Sequence, residues 1–440
     1  MHKNSFNNIF GDDGFRCKYG EKYLTKKFLN IFAYSLAIYF KKKYKNPKCV
    51  IGIDTRWSGP KIFEIISKQL RGNNIEVVYC GVIPSPGISY ILKKFKFNFG
   101  IMITASHNSF EDNGVKLFAS NGFKLKTSDE KNIEILIKKN LNLTNLLFTK
   151  NISKIQNYDE NLFYKNIYTD FLKEFITKTD IKTKILIDCS NGASSFIFNK
   201  IFNSKKNVKI INDKPNGKNI NLNCGALYPK KLQKILIKKN YDFGIALDGD
   251  SDRCILVDKK KGLLDSEKII FLYLELLSSN KTNNIICSSE IVNKSLEFNL
   301  KNIRYSLFET NVGDRNVVNL TRNKNALLGF EPSGHYYFPN FNNSMDGNIA
   351  TILIVKYLEK KPNIKNYLKL KSHKRVIKNI KIKDLGITLK EIKMKIKEFK
   401  LRAEEKLLVR ESIWEPIYRI YYDYEGNNRF NIIKKHILNK

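Results

Sequence analysis

Apolar residues in this chain gather in short unbroken runs that end abruptly in polar loops. KCVIGID (48–54), IEVVYCGV (75–82), FGIMITAS (99–106), KILIDCS (184–190), NVKIIND (207–213), DFGIALDGD (242–250) and NIICSSE (284–290) follow this pattern. Runs of that length, closed by Gly, Asn, Asp or Ser, predict strands buried on both faces. Between them lie segments such as PKIFEIISKQLRG (60–72) and SEKIIFLYLELLSS (266–279), whose apolar positions recur at helical spacing. The alternation predicts α/β domains with largely parallel sheets.

Polar punctuation divides the chain into 1–155, 156–256, 257–368 and 369–440. The last division has its own pattern: RVIKNIKIKD, a lysine-rich helix, EKLLVRES and then IYRIYYDYE, which predicts a small α+β domain. No sequence repeat is visible, although three of the earlier segments share one device, an apolar run that empties into a polar loop.

A length of 440 residues fits two to four domains, and 42% hydrophobic residues with 12% aromatics suffice for folded cores. Seven cysteines stand singly, without CxxC or a His/Cys cluster. Reduced thiols in a cytoplasmic protein are therefore expected, not disulfides or structural zinc. The opening MHKNSFNNIFGDDGF lacks the apolar core of a signal peptide. The longest apolar-rich stretch, FLNIFAYSLAIYF (28–40), is too short and too polar to span a bilayer, so it predicts an amphipathic helix in a soluble protein with no membrane partner.

The net charge of +36 raises the question of nucleic acid. Yet only 12 of the 78 basic residues are arginines, and the lysines are spread without a dense block. Abundant Lys, Asn, Ile, Phe and Tyr match an AT-rich coding sequence. No specific nucleic-acid partner is expected.

Three sets of residues could carry chemistry. In GIALDGDSDRCILVD, a strand-like run delivers Asp248, Asp250 and Asp252 at alternate positions, followed by Arg253. Crowded carboxylates repel unless a cation neutralises them, and all-oxygen ligation suits Mg²⁺. An EF-hand is excluded, since its sixth and twelfth loop positions are Arg253 and Lys259. A phosphatase using Asp248 as nucleophile and Asp250 as acid in a D-x-D pattern stays open.

In LLGFEPSGHYYF, Glu331, Ser333 and His335 alternate, with Gly334 available for close backbone approach to a ligand. Carboxylate, hydroxyl and imidazole together suit a polyol. Among the scarce arginines, Arg16, Arg56, Arg253, Arg315, Arg410 and Arg419 lie in or beside turns, where a bidentate fork suits phosphate. P-loop, GxGxxG and GxSxG motifs are absent. In GIMITASHNSFEDNGVK (100–116), Ser106 could be a nucleophile with His107 as base, a cap, or a carrier. Neighbouring side chains usually point apart, which argues against the first.

Together these loops resemble the α-D-phosphohexomutase superfamily, through nearly the whole chain and in the family's order. FGDDGFR is similar to FGTDGIRG, IGIDTRWSG to GKDTRxSG, TASHNSFEDNGVKLF to ASHNPxxDNGIKFF, and DGDSDR to DGDGDR. VGDRNV follows, then GFEPSGH, similar to GxExSGH, and VRESIWEPIYR, similar to RxSGTEPxxR. The DNG-hydrophobic-Lys extension favours the glucosamine branch over glucose or mannose phosphates. The resemblance implies three related α/β domains and a smaller C-terminal α+β domain around a central cleft.

It further implies interconversion of glucosamine 6-phosphate and glucosamine 1-phosphate, for amino-sugar and cell-wall precursor synthesis. Ser106 would be the phosphoserine, and one Mg²⁺ would sit on Asp248, Asp250, Asp252 and the Ser106 phosphate. Lys116 would give general acid/base help, with Arg16 and His107 close by and Arg253 on the phosphoryl oxygens. Glu331, Ser333 and His335 would hold the sugar, and Arg410, Ser412 and Arg419 the second phosphate of a sugar 1,6-bisphosphate intermediate, which also serves as activator.

Several supporting positions depart from the family pattern. Ile413-Trp414 replaces Gly-Thr, Ser109 a proline, Asp12 a threonine and Cys17 a glycine, while Pro332 takes a usually polar place. β-Branched Ile413 resists the positive φ that glycine tolerates, so an active enzyme with weakened phosphate binding is expected.

Overall fold

A computed structural model describes residues 9–11, 13–141, 161–176, 181–277, 284–360, 370–384, 387–411 and 416–438. The chain forms two compact units: Met1–Ser266 with Ser333–Asn363, and Glu267–Pro332 with Ile364–Lys440.

The first unit is built on two sheets. β1 (Phe15–Lys18), β2 (Lys48–Ile53), β3 (Glu76–Val82), β4 (Phe99–Ile103) and β5 (Asp112–Ala119) lie in the order β1-β5-β4-β2-β3. β6 (Ile185–Asp188), β7 (Val208–Ile211), β8 (Phe243–Leu247), β9 (Cys254–Asp258) and β10 (Gly262–Leu263) lie in the order β10-β9-β8-β6-β7. The strands legible as apolar runs are the parallel ones. β2 pairs in parallel with β3 and β4, and β6 with β7 and β8.

β4 and β8 are buried along their whole length, as strands covered on both faces must be. Each sheet adds antiparallel strands beyond the parallel set, β5 then β1 in one and β9 then β10 in the other. These explain why the sheets are mixed and not purely parallel.

The amphipathic stretch becomes the helix Lys26–Lys43, started by Thr25, whose hydroxyl accepts from the Phe28 N–H. Its buried Phe28, Leu29, Phe32, Leu36 and Phe40 form one side of the first core, with the Phe40 ring stacked on Phe99. Among the described residues no helix is long and apolar enough to cross a membrane.

In the second unit β11 (Ile285–Ser289) pairs in parallel with β12 (Ser306–Thr310) and β13 (Leu328–Glu331). That is the pairing of β2 and β6 again. Three glycines mark the repeat: Gly100, Gly244 and Gly329 occupy the same register on β4, β8 and β13. A Cβ at each would fall 2.6 Å from Leu92, 2.8 Å from Leu232 and 2.2 Å from Thr321, all on the helix packed over that strand. The repeat is thus one of pairing and helix contact, with little more than FGI, FGI and LGF shared in sequence. The short strand β14 (His335–Tyr337) belongs to the first unit, which the chain re-enters at Ser333.

The α+β segment has an antiparallel sheet of β15 (Lys374–Lys381), β16 (Lys406–Glu411) and β17 (Ile417–Tyr424), ordered β15-β17-β16. The helices Leu389–Glu398 and Phe430–Leu438 pack on it through Ile392, Phe430, Ile433 and Ile437.

Candidate active site

Ser106 sits in the loop between β4 and β5 with its backbone in the left-handed region, φ +51°. Several buried groups hold that conformation. The Ser106 N–H donates to Thr104 Oγ1 (2.8 Å), whose hydroxyl donates to Asp54 Oδ2 (2.7 Å). Arg56, fully buried, donates from Nε to Asp54 Oδ2 (2.9 Å) and spreads its remaining N–H groups over the carbonyls of Ser106 (3.0 Å), Asn108 (2.9 Å), Asp112 (3.0 Å) and Ser109. Arg56 is therefore not free to recognise phosphate. Its fork is spent on loop carbonyls, a use that turn placement alone does not distinguish. Asn221 adds a second grip, donating to Ser106 O (2.8 Å) and Asn108 O (3.1 Å).

The Ser106 hydroxyl donates to Asp248 Oδ2 at 2.8 Å, while His107 Nδ1 lies 3.4 Å from the same Oγ. Adjacent side chains do converge here, because the left-handed turn brings them to one side. His107 nevertheless stays neutral. Burial and the nearby charges of Arg253 and Arg16 push its pKa down to about 3.

Asp248, Asp250 and Asp252 follow β8 directly, and all three are buried. One carboxylate oxygen from each lies within 4.8 Å of the others. Burial, then the charges of Asp252 and Asp250, raise the Asp248 carboxyl to about 7. Burial opposes ionisation of Asp252 too, but the Lys116 ammonium holds it well below the usual carboxylate range. Asp250 Oδ1 and Asp252 Oδ1 are buried with no hydrogen-bond partner, the latter 3.3 Å from His335 Nε2. Two unfilled carboxylate oxygens within a buried, close-set group of three carboxylates fit a hard divalent cation.

Lys116, on β5, donates to Asp250 Oδ2 (2.7 Å) and Asp252 Oδ2 (2.8 Å) and pairs with Asp13 Oδ2 (2.9 Å). Burial disfavours its charge, yet Asp13, Asp250 and Asp252 keep its pKa well above that of a free lysine. It is held as an ammonium, a positive charge fixed among three carboxylates.

Asp13 also pairs with Arg16 and Lys124. It is the anionic hub of this corner. It lay unremarked inside FGDDGFR, where only its neighbour Asp12 stood out, and Asp12 itself falls outside the described residues.

Arg253 donates from Nε to His335 Nε2 (3.2 Å), and Ser333 Oγ lies 2.9 Å from His335 Nδ1. A guanidinium only donates, so Nε2 accepts and Nδ1–H must donate to Ser333. Gly334 lies at φ +92°, and a Cβ there would fall 2.8 Å from the Cys254 carbonyl, so close strand contact by itself requires the glycine.

The first unit thus brings together Arg16, Ser106, His107, Lys116, Asp248, Asp250, Asp252, Arg253, Ser333 and His335. Glu331, Arg410 and Arg419 belong to the second unit. There Glu331 Oε1 accepts from the Gly313 N–H at 3.0 Å. Arg410 and Arg419 stand directly opposite each other on β16 and β17, with Arg419 Nε donating to Asn379 Oδ1 at 2.9 Å. Ser412, Ile413 and Trp414 lie outside the described residues.

Comparison with known proteins agrees with this layout. Residues 7–144, 163–262 and 265–373 match the models of the alpha/beta/alpha domains I, II and III of phosphoglucomutase/phosphomannomutase. The chain is 38% identical over 365 residues to a phosphoglucosamine mutase from Prochlorococcus marinus (strain MIT 9515), covering 82% of this chain and 79% of that one. It is 31% identical over 430 residues to a phosphoglucosamine mutase from Clostridium kluyveri, covering 95% of each.

Among solved structures, a putative phosphomannomutase from Thermus thermophilus shares the fold with a TM-score of 0.76 at 19% identity, over 97% of both chains. An Aspergillus fumigatus N-acetylphosphoglucosamine mutase in complex with GlcNAc-6P and magnesium aligns with a TM-score of 0.61 at 16% identity, over 100% of this chain and 96% of that one. A buried acidic triad beside a strained serine, three matching domains and relatives of nearly full length lead to one conclusion: the chain belongs to the phosphoglucomutase/phosphomannomutase family of α-D-phosphohexomutases.

Proposed function

We propose that the chain interconverts glucosamine 6-phosphate and glucosamine 1-phosphate, with Ser106 carrying the phosphoryl group. One observation carries this reading: the Ser106 hydroxyl, on a left-handed backbone, is hydrogen-bonded to one of three buried carboxylates that together suit a divalent cation. The named relatives support the sugar, and the magnesium and GlcNAc-6P of the Aspergillus fumigatus protein support the ligand class. Mg²⁺ on Asp248, Asp250 and Asp252 would offset the charge of the phosphoryl oxygens.

The chain's own groups divide the remaining work. Phosphoryl transfer breaks the P–Oγ bond of phosphoserine and forms a P–O bond to a sugar hydroxyl, so Ser106 must gain a proton and the sugar must lose one. Net, one proton passes from the sugar hydroxyl to Ser106 Oγ, and Lys116, held as an ammonium, is assigned the acid/base help for that exchange. Arg16 and Arg253 supply positive charge for the non-bridging oxygens. Ser333, His335 and Glu331 are assigned to the sugar hydroxyls.

The sugar 1,6-bisphosphate then turns so that its other phosphate returns to Ser106. Arg410, Arg419 and Ser412 are assigned to the phosphate not being transferred. Two guanidiniums directly across a strand pair repel each other, which an anion between them would relieve. A four-domain division at 155, 256 and 368 and a cytoplasmic setting complete the reading. The family-model limits support the former and seven free cysteines the latter.

The test is to incubate the protein with glucosamine 6-phosphate, Mg²⁺ and a trace of sugar bisphosphate, following both phosphomonoesters by ³¹P NMR. The 1-phosphate should appear, and Ser106→Ala should abolish it. Faster turnover of mannose 6-phosphate would overturn the sugar assignment, and a base-labile phosphate on Asp248 would overturn the carrier.

A further inference from the structure

Ser85 opens the helix Ser85–Lys94, in a segment, VIPSPG, whose sequence suggests only a helix start. It is buried and held to one residue of the acidic loop at two points. Its Oγ donates to Asp250 Oδ2, and its N–H donates to the Asp250 carbonyl at 3.0 Å. Lys116 Nζ donates to the same Oδ2 and to Asp252 Oδ2. Every hydrogen bond given to the Asp250 and Asp252 carboxylates therefore lands on Oδ2, and both Oδ1 atoms are left buried without one. His335 Nε2, near Asp252 Oδ1, already accepts from Arg253.

A carboxylate turns freely about its last torsion unless its partners choose an orientation. Lys116 bridges two carboxylates and so sets their separation, but one ammonium shared between them does not fix the tilt of either. Ser85 is tied to the backbone and the side chain of Asp250 alone. It also orients without adding charge, whereas Lys116 repels a cation. Partners of this kind commonly govern how well metal-binding carboxylates hold an ion.

We propose that Ser85 is a positioning residue for the divalent cation, turning Asp250 so that Oδ1 faces the point shared with Asp248 and Asp252. The inference rests on the metal reading of the acidic loop given above, and the test separates the two.

The probe is Mn²⁺, titrated into full-length protein and followed by the EPR signal of the free ion, well below the thermal midpoint of every variant. Ser85→Ala should weaken Mn²⁺ binding about tenfold, while Ser85→Thr, which keeps the hydroxyl, should stay within about twofold of the native protein. Asp250→Asn should remove the site. Native affinity in Ser85→Ala, or a Ser85→Thr protein as weak as Ser85→Ala, overturns the role of Ser85. Equal Mn²⁺ binding by native protein and Asp250→Asn overturns the metal reading itself. If Ser85→Ala does not fold, Ser85→Cys, which offers only a weak donor, takes its place with the same expected loss.

Discussion

The two sheets of the first unit run the same course, with β2, β3 and β4 paired as β6, β7 and β8 are, and with an antiparallel strand following the third parallel one. The loop that enters the antiparallel strand presents a hydroxyl in the first sheet and three carboxylates in the second. Their anchors differ accordingly. A buried guanidinium, Arg56, gathers four carbonyls of the Ser106 loop. The acidic loop is gathered by neutral groups: Ser194 Oγ lies 2.8 Å from Ser251 Oγ, and the N–H groups of Gly347 and Ala193 donate to Ser251 O (3.1 Å) and Gly249 O (2.9 Å). A guanidinium buried at that place would neutralise the charge a cation is to meet. Two cations do approach its carboxylates: Lys116, from β5 of the other sheet, and the part-exposed Arg253, whose Nε lies 3.8 Å from Asp248 Oδ2.

The comparison is broken most completely at Ser106. Ser106→Ala should lower mutase turnover by on the order of 10³-fold or more, since the carrier oxygen is gone. The ³¹P assay reads it.

Next comes the anchor. Arg56→Ala leaves Asp54 buried without its counter-charge and should cost about 3–5 kcal/mol, whereas Ser194→Ala should cost about 1–2 kcal/mol. Urea denaturation of both variants measures the difference, and equal losses would sink the distinction between charged and neutral anchoring.

His107 sharpens the comparison through pH, because it has no counterpart in the acidic loop. Its folded pKa of about 3 lies below the unfolded value near 6.5, so the unfolded chain binds the extra proton between these limits. Stability from this group is present above pH 6.5 and is lost as pH falls toward 3. Allowing for its partial exposure, native protein should lose about 2 kcal/mol more than His107→Asn between pH 7 and 4. Parallel pH profiles of the two proteins would contradict the shift.

A last pair of variants tests what the sheets share. Gly100→Ala and Gly244→Ala should each cost about 1–3 kcal/mol, because the new methyl meets Leu92 in one sheet and Leu232 in the other. An unchanged denaturation midpoint in either would show that the helix over that strand shifts without strain.

Much of the site was legible beforehand for a local reason. Ser106, Asp248, Asp250 and Asp252 follow apolar runs without interruption, and a strand that ends in a polar loop announces both itself and what it carries. The internal repeat was not legible. Pairing order and a helix packed on a glycine recur while nearly every side chain differs, and FGI is too short to stand out. The use of Arg56 was not legible because turn placement states where a residue is, not which atoms it faces.

By itself the sequence determined the parallel strands β2, β3, β4, β6, β7, β8 and β11, the helix Lys26–Lys43 and the residues at the strand ends, since burial and periodicity act over a few neighbouring positions. Only the tertiary structure decided that Arg56 serves carbonyl oxygens, that His107 turns toward Ser106, and that Asp13, Lys116 and Ser85 meet around the acidic loop. Ser85 and Lys116 lie 165 and 134 residues from Asp250. Contacts at that separation depend on how two sheets pack, and hydrogen bonds are decided within a few tenths of an ångström, which no local pattern encodes.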